Sequence, residues 1–131
     1  MIECAILLEA RYPAKNIFRA YFIAAWYDLF DRLMVEVIHG RIGAKGKSSM
    51  FYMNHQEEAI EFIVSLLKKR ETAVKRIGVP YTLKYYAGHW DVEEALFPFR
   101  QIPLFNEPLL LPEKKQAPVK EIIIEGEGLF R

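Results

Sequence analysis

The segment Leu33-Met34-Val35-Glu36-Val37-Ile38-His39 runs into Gly40-Arg41-Ile42-Gly43-Ala44-Lys45-Gly46-Lys47, and the chain resumes as Ser48-Ser49-Met50-Phe51-Tyr52-Met53. Side chains of an extended strand alternate between two faces. Here Leu33, Val35, Val37 and His39 share one face, and Met34, Glu36 and Ile38 the other. Glycine at such density marks backbone that turns sharply or is closely approached. The pattern predicts a β-hairpin with a long, basic, glycine-containing loop. Arg41, Lys45 and Lys47 in that loop suggest an anionic partner, of which phosphate is the commonest.

Upstream, Ile2 to Leu8 reads as a first strand, and Tyr12-Pro13-Ala14-Lys15-Asn16 as a turn. Ile17 to Tyr27 fits either a strand or a buried helix. Its alternation sets Phe18, Ala20, Phe22, Ala24 and Trp26 against Arg19, Tyr21, Ile23 and Tyr27, and its aromatic load favours strand. Downstream, Asn54 is placed to cap a helix, with Glu57 as its capping-box partner. Ala59, Ile60, Ile63, Val64 and Leu67 form the apolar stripe of that helix, Gly78 its stop, and Pro80 forbids continuation. Tyr81 to Tyr86 reads as a closing strand.

Composition shifts after Gly88. Five of the seven prolines fall at 98, 103, 108, 112 and 118, among bulky apolar residues. Asp91 to Phe97 reads as a short helix capped by Asp91, and Val119 to Glu125 as a terminal strand containing Ile122, Ile123 and Ile124. Such a segment is too apolar for a solvated linker. The expected organisation is a domain over residues 1–87 and an apolar, Pro-rich extension over 88–131. The fold class is α+β: a mostly antiparallel sheet with one main helix packed on it, plus the extended C-terminal strap.

The 131 residues are 52% apolar and carry a net charge of +1. Wholesale disorder is excluded, and so is a globally basic nucleic-acid binder. The charge is unevenly placed: residues 1–87 hold 13 Lys and Arg against 9 Asp and Glu, and residues 88–131 hold 5 against 8. A mildly basic body therefore carries an acidic end. Cys4 is the only cysteine, so no intramolecular disulfide forms, and its apolar surroundings mark it as a small core residue. Met1-Ile2-Glu3-Cys4 lacks the basic start of a signal peptide. The apolar run Ala20 to Tyr27 is too short to span a bilayer. The expected location is cytoplasmic, without membrane contact.

Arg41 to Ser48 comes close to a nucleotide-binding P-loop. The motif fails because Arg41 stands where glycine is needed and a strand, not a helix, follows. His39, His55 and His89 share no metal-ligand spacing, and no nucleophile-base arrangement stands out. The expectation is a chain with no catalytic residues, no metal and no cofactor. Lys68, Lys69, Arg70, Lys75 and Arg76 cluster about the helix end. They form either a solvated face that complements the helix dipole or a phosphate-contacting patch.

His39-Gly40-Arg41-Ile42-Gly43 resembles the signature of the WGR domain, with His39 in place of the leading Trp. Further elements agree in order. Phe18-Arg19-Ala20-Tyr21 resembles the family's Arg-x-Tyr element. Asp28-Leu29-Phe30 resembles its Leu-Phe-Gly element, with Asp31 where Gly is usual. Glu58-Ala59 resembles the opening of its helix. Lys69, Arg76, Gly78 and Tyr81 resemble its basic helix end and closing Gly-Tyr, spread here by Val79-Pro80. The likeness covers roughly residues 7–81. It implies an antiparallel sheet with one main helix, and Ile17 to Tyr27 as strand. In DNA-dependent poly(ADP-ribose) polymerases the motif's Trp packs on sugar at a DNA break, and its Arg contacts the backbone or a neighbouring domain. By position, His39 would stack or hydrogen-bond and Arg41 would clamp. An imidazole offers less stacking area than an indole, so weaker binding is expected.

The resulting expectation is a small, non-enzymatic module that binds DNA or another nucleic acid weakly and without sequence preference. His39, Gly40, Arg41, Lys45, Lys47, Tyr52 and Lys69 are its candidate contacts. The alternative is a protein-interaction module, in which the extension docks a partner protein or a second copy as a homodimer.

Overall fold

The computed structural model describes residues 2–100. Five strands form one antiparallel sheet: β1 (Ile2–Tyr12), β2 (Ile17–Tyr27), β3 (Leu33–Arg41), β4 (Lys47–Met53) and β5 (Thr82–Gly88). Their spatial order is β4-β3-β2-β1-β5. The first four follow one another as a meander. The chain then passes through α1 (Gln56–Glu71) and α2 (Val74–Ile77) to lay β5 on the free edge of β1. A short helix α3 (Glu93–Leu96) and a 3-10 turn, Phe97–Arg100, follow.

The alternation read in β3 sorts the sheet into two faces. One carries Cys4, Ile6, Leu8 and Ala10 of β1, Tyr21, Ile23 and Ala25 of β2, and Leu33, Val35 and Val37 of β3. Helix α1 supplies Ala59, Ile63 and Leu67 to the same cluster, all fully buried. These recur every four residues, which puts them on one side of a helix of 3.6 residues per turn. The opposite sheet face carries Leu7, Phe22, Ala24, Trp26, Met34 and Ile38. Ile17–Tyr27 is thus a strand, with Tyr21, Ile23 and Ala25 buried on the helix-covered face and Ala24 buried on the other.

Several boundaries differ from the sequence reading. β1 continues past Leu8 to Tyr12, because Glu9 to Tyr12 find partners in Ala20 to Ile17. The cap of α1 lies one residue later than expected. His55, not Asn54, is the cap: the Glu58 N–H donates to His55 Nδ1 (3.3 Å), and the Glu58 carboxylate accepts from the Asn54 N–H (2.8 Å). Glu58 rather than Glu57 therefore makes the return contact, in a variant of the capping box that reaches the N–H of the residue before the cap. Helix α1 also stops at Glu71, short of Gly78. The Thr72 hydroxyl there donates to the Lys69 carbonyl (3.0 Å), a side-chain bond that competes with the helical ladder. Gly78, at φ 86°, ends the separate α2 turn. Asp91 does not occupy the cap position of α3, which falls to Val92, although its carboxylate accepts from the Glu93 N–H at 3.4 Å.

Trp90, Val92, Leu96 and Phe99 are buried in the same core as β1 and α1. The stretch that composition sets apart from residue 88 therefore enters the core up to residue 99. The Pro-rich strap and the Val119 to Glu125 strand lie outside the described residues. No helix among the described residues is long and apolar enough to cross a membrane.

Cys4 sits fully buried on the helix-covered face near the start of β1, and burial pushes its thiol from 9.0 up to about 11. Burial favours the neutral form, so this contribution to stability is whole below pH 9 and is lost as pH climbs from 9 to 11. Native protein at pH 8 is expected to leave Cys4 unmodified by a disulfide-exchange reagent, and denaturant to release one thiol per chain. Leu67→Ala should cost about 2–5 kcal/mol by denaturant titration, since the helix holds the sheet through this stripe.

Candidate anion-binding cleft

Gly40 and Gly46 bring β3 and β4 together where the hairpin opens into its loop. A Cβ on Gly40 would lie 2.9 Å from the Gly46 Cα, and one on Gly46 would lie 2.9 Å from the His39 carbonyl oxygen. Gly46 also holds φ 77°, a left-handed conformation that side chains disfavour. The two glycines thus serve close backbone approach. Beyond them the Ala44 N–H donates to the Arg41 carbonyl, closing a tight turn, and the Ile42 N–H donates to Phe18 in β2. These bonds fix the loop against the start of β2 and orient Arg41.

The Arg41 guanidinium reaches across to the turn between β1 and β2. It donates to Asn16 Oδ1 (3.0 Å) and to the Asn16 carbonyl (3.5 Å), and lies 4.9 Å from the centre of the Phe18 ring. Arg19 is the register partner of Arg41, and Tyr21 that of His39. The Tyr21 and His39 rings stack at 6.0 Å and 24°, and Tyr81 meets Tyr21 edge-on at 6.4 Å. From above, the last turn of α1 sets the Arg70 guanidinium 4.6 Å from the Tyr21 ring centre. A cation over an aromatic face is attracted by the ring quadrupole. Arg70 Nε is buried and has no hydrogen-bond partner among the described residues. Burial pushes the Tyr21 hydroxyl above its ordinary range, partly offset by the Arg70 charge.

Together these groups enclose a cleft of about 300 Å³, lined by Asn16, Arg19, His39, Arg41, Arg70 and Tyr81 with neighbouring backbone and apolar atoms. Among the described residues, no carboxylate lines it. Neither Arg19, Arg41 nor Arg70 forms a salt bridge with a carboxylate among the described residues. Arg19, Arg41 and Arg70 thus line one cleft with no counter-charge there among the described residues, and an anion bound in it would offset their mutual repulsion. Each guanidinium offers a planar fork of donors that matches a phosphate or carboxylate.

Of the residues singled out in the sequence, His39, Gly40 and Arg41 line this cleft. Lys47 pairs with His39 across the hairpin and is exposed beside it, and Lys45 is exposed in the loop; neither lines the cleft. Lys69 is exposed and also stays outside, because Arg70 is the member of Lys68-Lys69-Arg70 that continues the buried helical stripe. Tyr52 belongs elsewhere. It pairs with Met34 near the far end of β4, on the opposite sheet face, where Arg32 lies 5.1 Å from its ring centre. The sequence reading does not single out Arg19 and Tyr81 as ligand groups, and it includes Arg70 only within the alternative phosphate-contacting patch of Lys68, Lys69, Arg70, Lys75 and Arg76, not among the candidate contacts. A signal exists for two of them. Arg19 shares the parity of Tyr21, and Arg70 follows Leu67 by three residues.

Among the described residues, no group of three or more His, Cys, Asp or Glu is placed to hold a metal ion. No protein-family model, no curated protein and no solved structure matches this chain.

Gly46→Ala is expected to lower stability by about 1–3 kcal/mol, from the left-handed backbone and the contact with His39. Thermal unfolding followed by circular dichroism reads this directly, and Gly43→Ala serves for comparison, having the positive φ but open space around its Cβ.

Proposed function

We propose that the chain is a WGR-like module that binds nucleic acid through phosphate, weakly and without sequence preference. The observation that carries this reading is that Arg19, Arg41 and Arg70 line one cleft with no carboxylate among the described residues lining it. The resemblance of His39-Gly40-Arg41-Ile42-Gly43 to the WGR signature and the sheet-plus-helix fold support it. In this reading a backbone phosphate enters between the guanidiniums, where each donates charge-assisted hydrogen bonds. Asn16 holds Arg41 in position by accepting two of its N–H groups, leaving further donors to face the ligand. His39, its ring already stacked on Tyr21, presents a preformed surface to the adjoining sugar. Lys45 and Lys47 reach neighbouring phosphates from the loop. Phosphate contacts carry no sequence information, so recognition is of backbone and ends.

A few such contacts give a dissociation constant on the order of 1–100 μM at physiological salt, weakening as salt rises. Fluorescence anisotropy with nicked, blunt and single-stranded oligonucleotides measures it. Arg19→Ala and Arg70→Ala should each weaken binding to all three and reduce the salt slope by about one. Tyr52→Ala, on the opposite face, should leave binding unchanged. Absence of binding at low salt, or equal binding by every variant, refutes the assignment.

One observation favours the protein-interaction reading instead. The turn between β2 and β3 displays Leu29 at 97% and Phe30 at 76% exposure. It is well ordered by Asp28, whose carboxylate accepts from the Arg32 and Phe30 N–H groups and from the Arg32 guanidinium. These bonds, that from the Arg32 backbone first, hold the Asp28 carboxyl below its ordinary range. The Asp28 contribution is therefore present at neutral pH and fades only as pH falls through that lowered value. Under this reading Leu29→Ser with Phe30→Ser abolishes partner capture, with little effect of salt.

A further inference from the structure

We propose that the outer edge of β4 pairs with the same edge of a second copy of this chain, antiparallel and two-fold about Met50, so that the two sheets run on into one. This is independent of the anion-binding reading, since no residue of β4 lines the cleft.

The two edges of the sheet are built differently. β5 carries Lys84, its register with β1 shifts between Leu7 and Leu8, and the 3-10 turn Phe97–Arg100 packs against it. A charge, an irregular register and a covering element are means by which an edge is kept from pairing. Between Ser48 and Met53, β4 has no charge, no proline and no glycine. It pairs with β3 in unbroken register from Leu33 opposite Met53 to His39 opposite Lys47, and among the described residues no strand takes its outer side. Apolar groups are nevertheless displayed there: Met50 at 47%, Phe51 at 38% and Tyr52 at 59% exposure. Consecutive residues of a strand point to opposite faces, so apolar surface borders the edge above and below. On the helix side Phe51 meets Phe62 of α1 at 4.9 Å between ring centres, which carries that surface onto the helix. Unpaired backbone groups between two apolar borders form a template for another strand.

The strand's own sequence selects a second copy as the occupant. Two copies of Lys47–Met53 overlap along their whole length only with Met50 on the axis. Met50 then meets its own copy, Ser49 the partner's Phe51, Ser48 the partner's Tyr52 and Lys47 the partner's Met53. The two Lys47 ammoniums stand at opposite ends, about 20 Å apart along the strands. Each comes to the point where the partner's strand runs into α1, whose first turn carries Glu57 and Glu58. A two-fold axis that continues an antiparallel sheet stands perpendicular to it, so both copies of α1 lie on one side. Lys47, the register partner of His39, belongs to that side. Opposite charge at the two ends thus accompanies an apolar match at the centre. A contact about 24 Å long and about 20 Å thick, one sheet layer plus one helix layer, covers on the order of 500 Å² per copy, the low end for a specific interface. The dimer is accordingly weak, with a dissociation constant on the order of 10 μM.

The test uses the full chain. Sedimentation velocity from low micromolar to submillimolar concentration should show a reversible monomer–dimer equilibrium. Met50→Lys sets two ammoniums against each other on the axis and should raise the dissociation constant about tenfold or more. Introduced cysteines read the register. Residues directly opposite in an antiparallel pair have Cα atoms about 4.5–5.5 Å apart, within disulfide reach. Met50→Cys should therefore oxidise to a linked dimer, and Ser48→Cys mixed with Tyr52→Cys to a linked pair of the two variants. Ser48→Cys alone, its two copies about 14 Å apart, should not link. Cys4 is fully buried and does not compete. A chain that stays monomeric throughout, a dimer unaffected by Met50→Lys, or a Met50→Cys chain that links no faster than Ser48→Cys would each overturn the proposal. The cysteine series stands by itself should Met50→Lys not fold.

Discussion

Burial of the stripe Ala59, Ile63 and Leu67 against Ile6, Leu8, Ile23 and Val35 is the contact on which the other features rest. All seven residues are fully buried. The stripe fixes the rotation of α1 about its own axis. Once that rotation is set, the residue three positions beyond Leu67 also faces the sheet, and this residue is Arg70. A long cation is thus directed over Tyr21, not into solvent, while Lys68 and Lys69 point outward. The cleft is the continuation of the core into a region where the side chains become polar.

Much of this was legible in the chain. Period-2 alternation in Leu33 to His39 located β3 and its faces, and the i, i+4 recurrence of Ala59, Ile63 and Leu67 located α1 and its buried side. Each depends on neighbouring residues alone. Features that depend on distant residues were not legible. β1 reaches Tyr12 because Ile17 to Ala20 supply partners, not because Glu9 and Arg11 favour strand. The cap settles on His55 because Glu58 can reach back to Asn54, a competition that the residue types at 54 and 57 do not reveal.

The site divides in the same way. His39, Gly40 and Arg41 belong to one hairpin and could be read together. Arg19, Arg70 and Tyr81 come from β2, the end of α1 and the approach to β5, and only the packed core assembles them. Tyr52 was grouped with the loop because it is close in sequence. A strand reverses its side chain at every residue and carries the chain about 3.4 Å further each time. Five residues of β4 beyond Lys47 therefore place Tyr52 both on the other face and at the other end.

The order of the strands also bears on how the chain reaches this structure. β1 lies inside the sheet, yet one of its two partners, β5, begins some 70 residues after β1 ends. Pairing at such sequence distance is slow, because a long loop must close before any contact rewards it. During synthesis at about 5–20 residues per second, β1 waits on the order of several seconds with one edge unsatisfied. The meander β1 to β4 forms from local hairpins and gives α1 a surface to settle on. The arrival of β5 then closes an edge that would otherwise invite pairing with another nascent chain. The timing of translation through residues 72–88 is in this sense part of the folding problem posed by the topology.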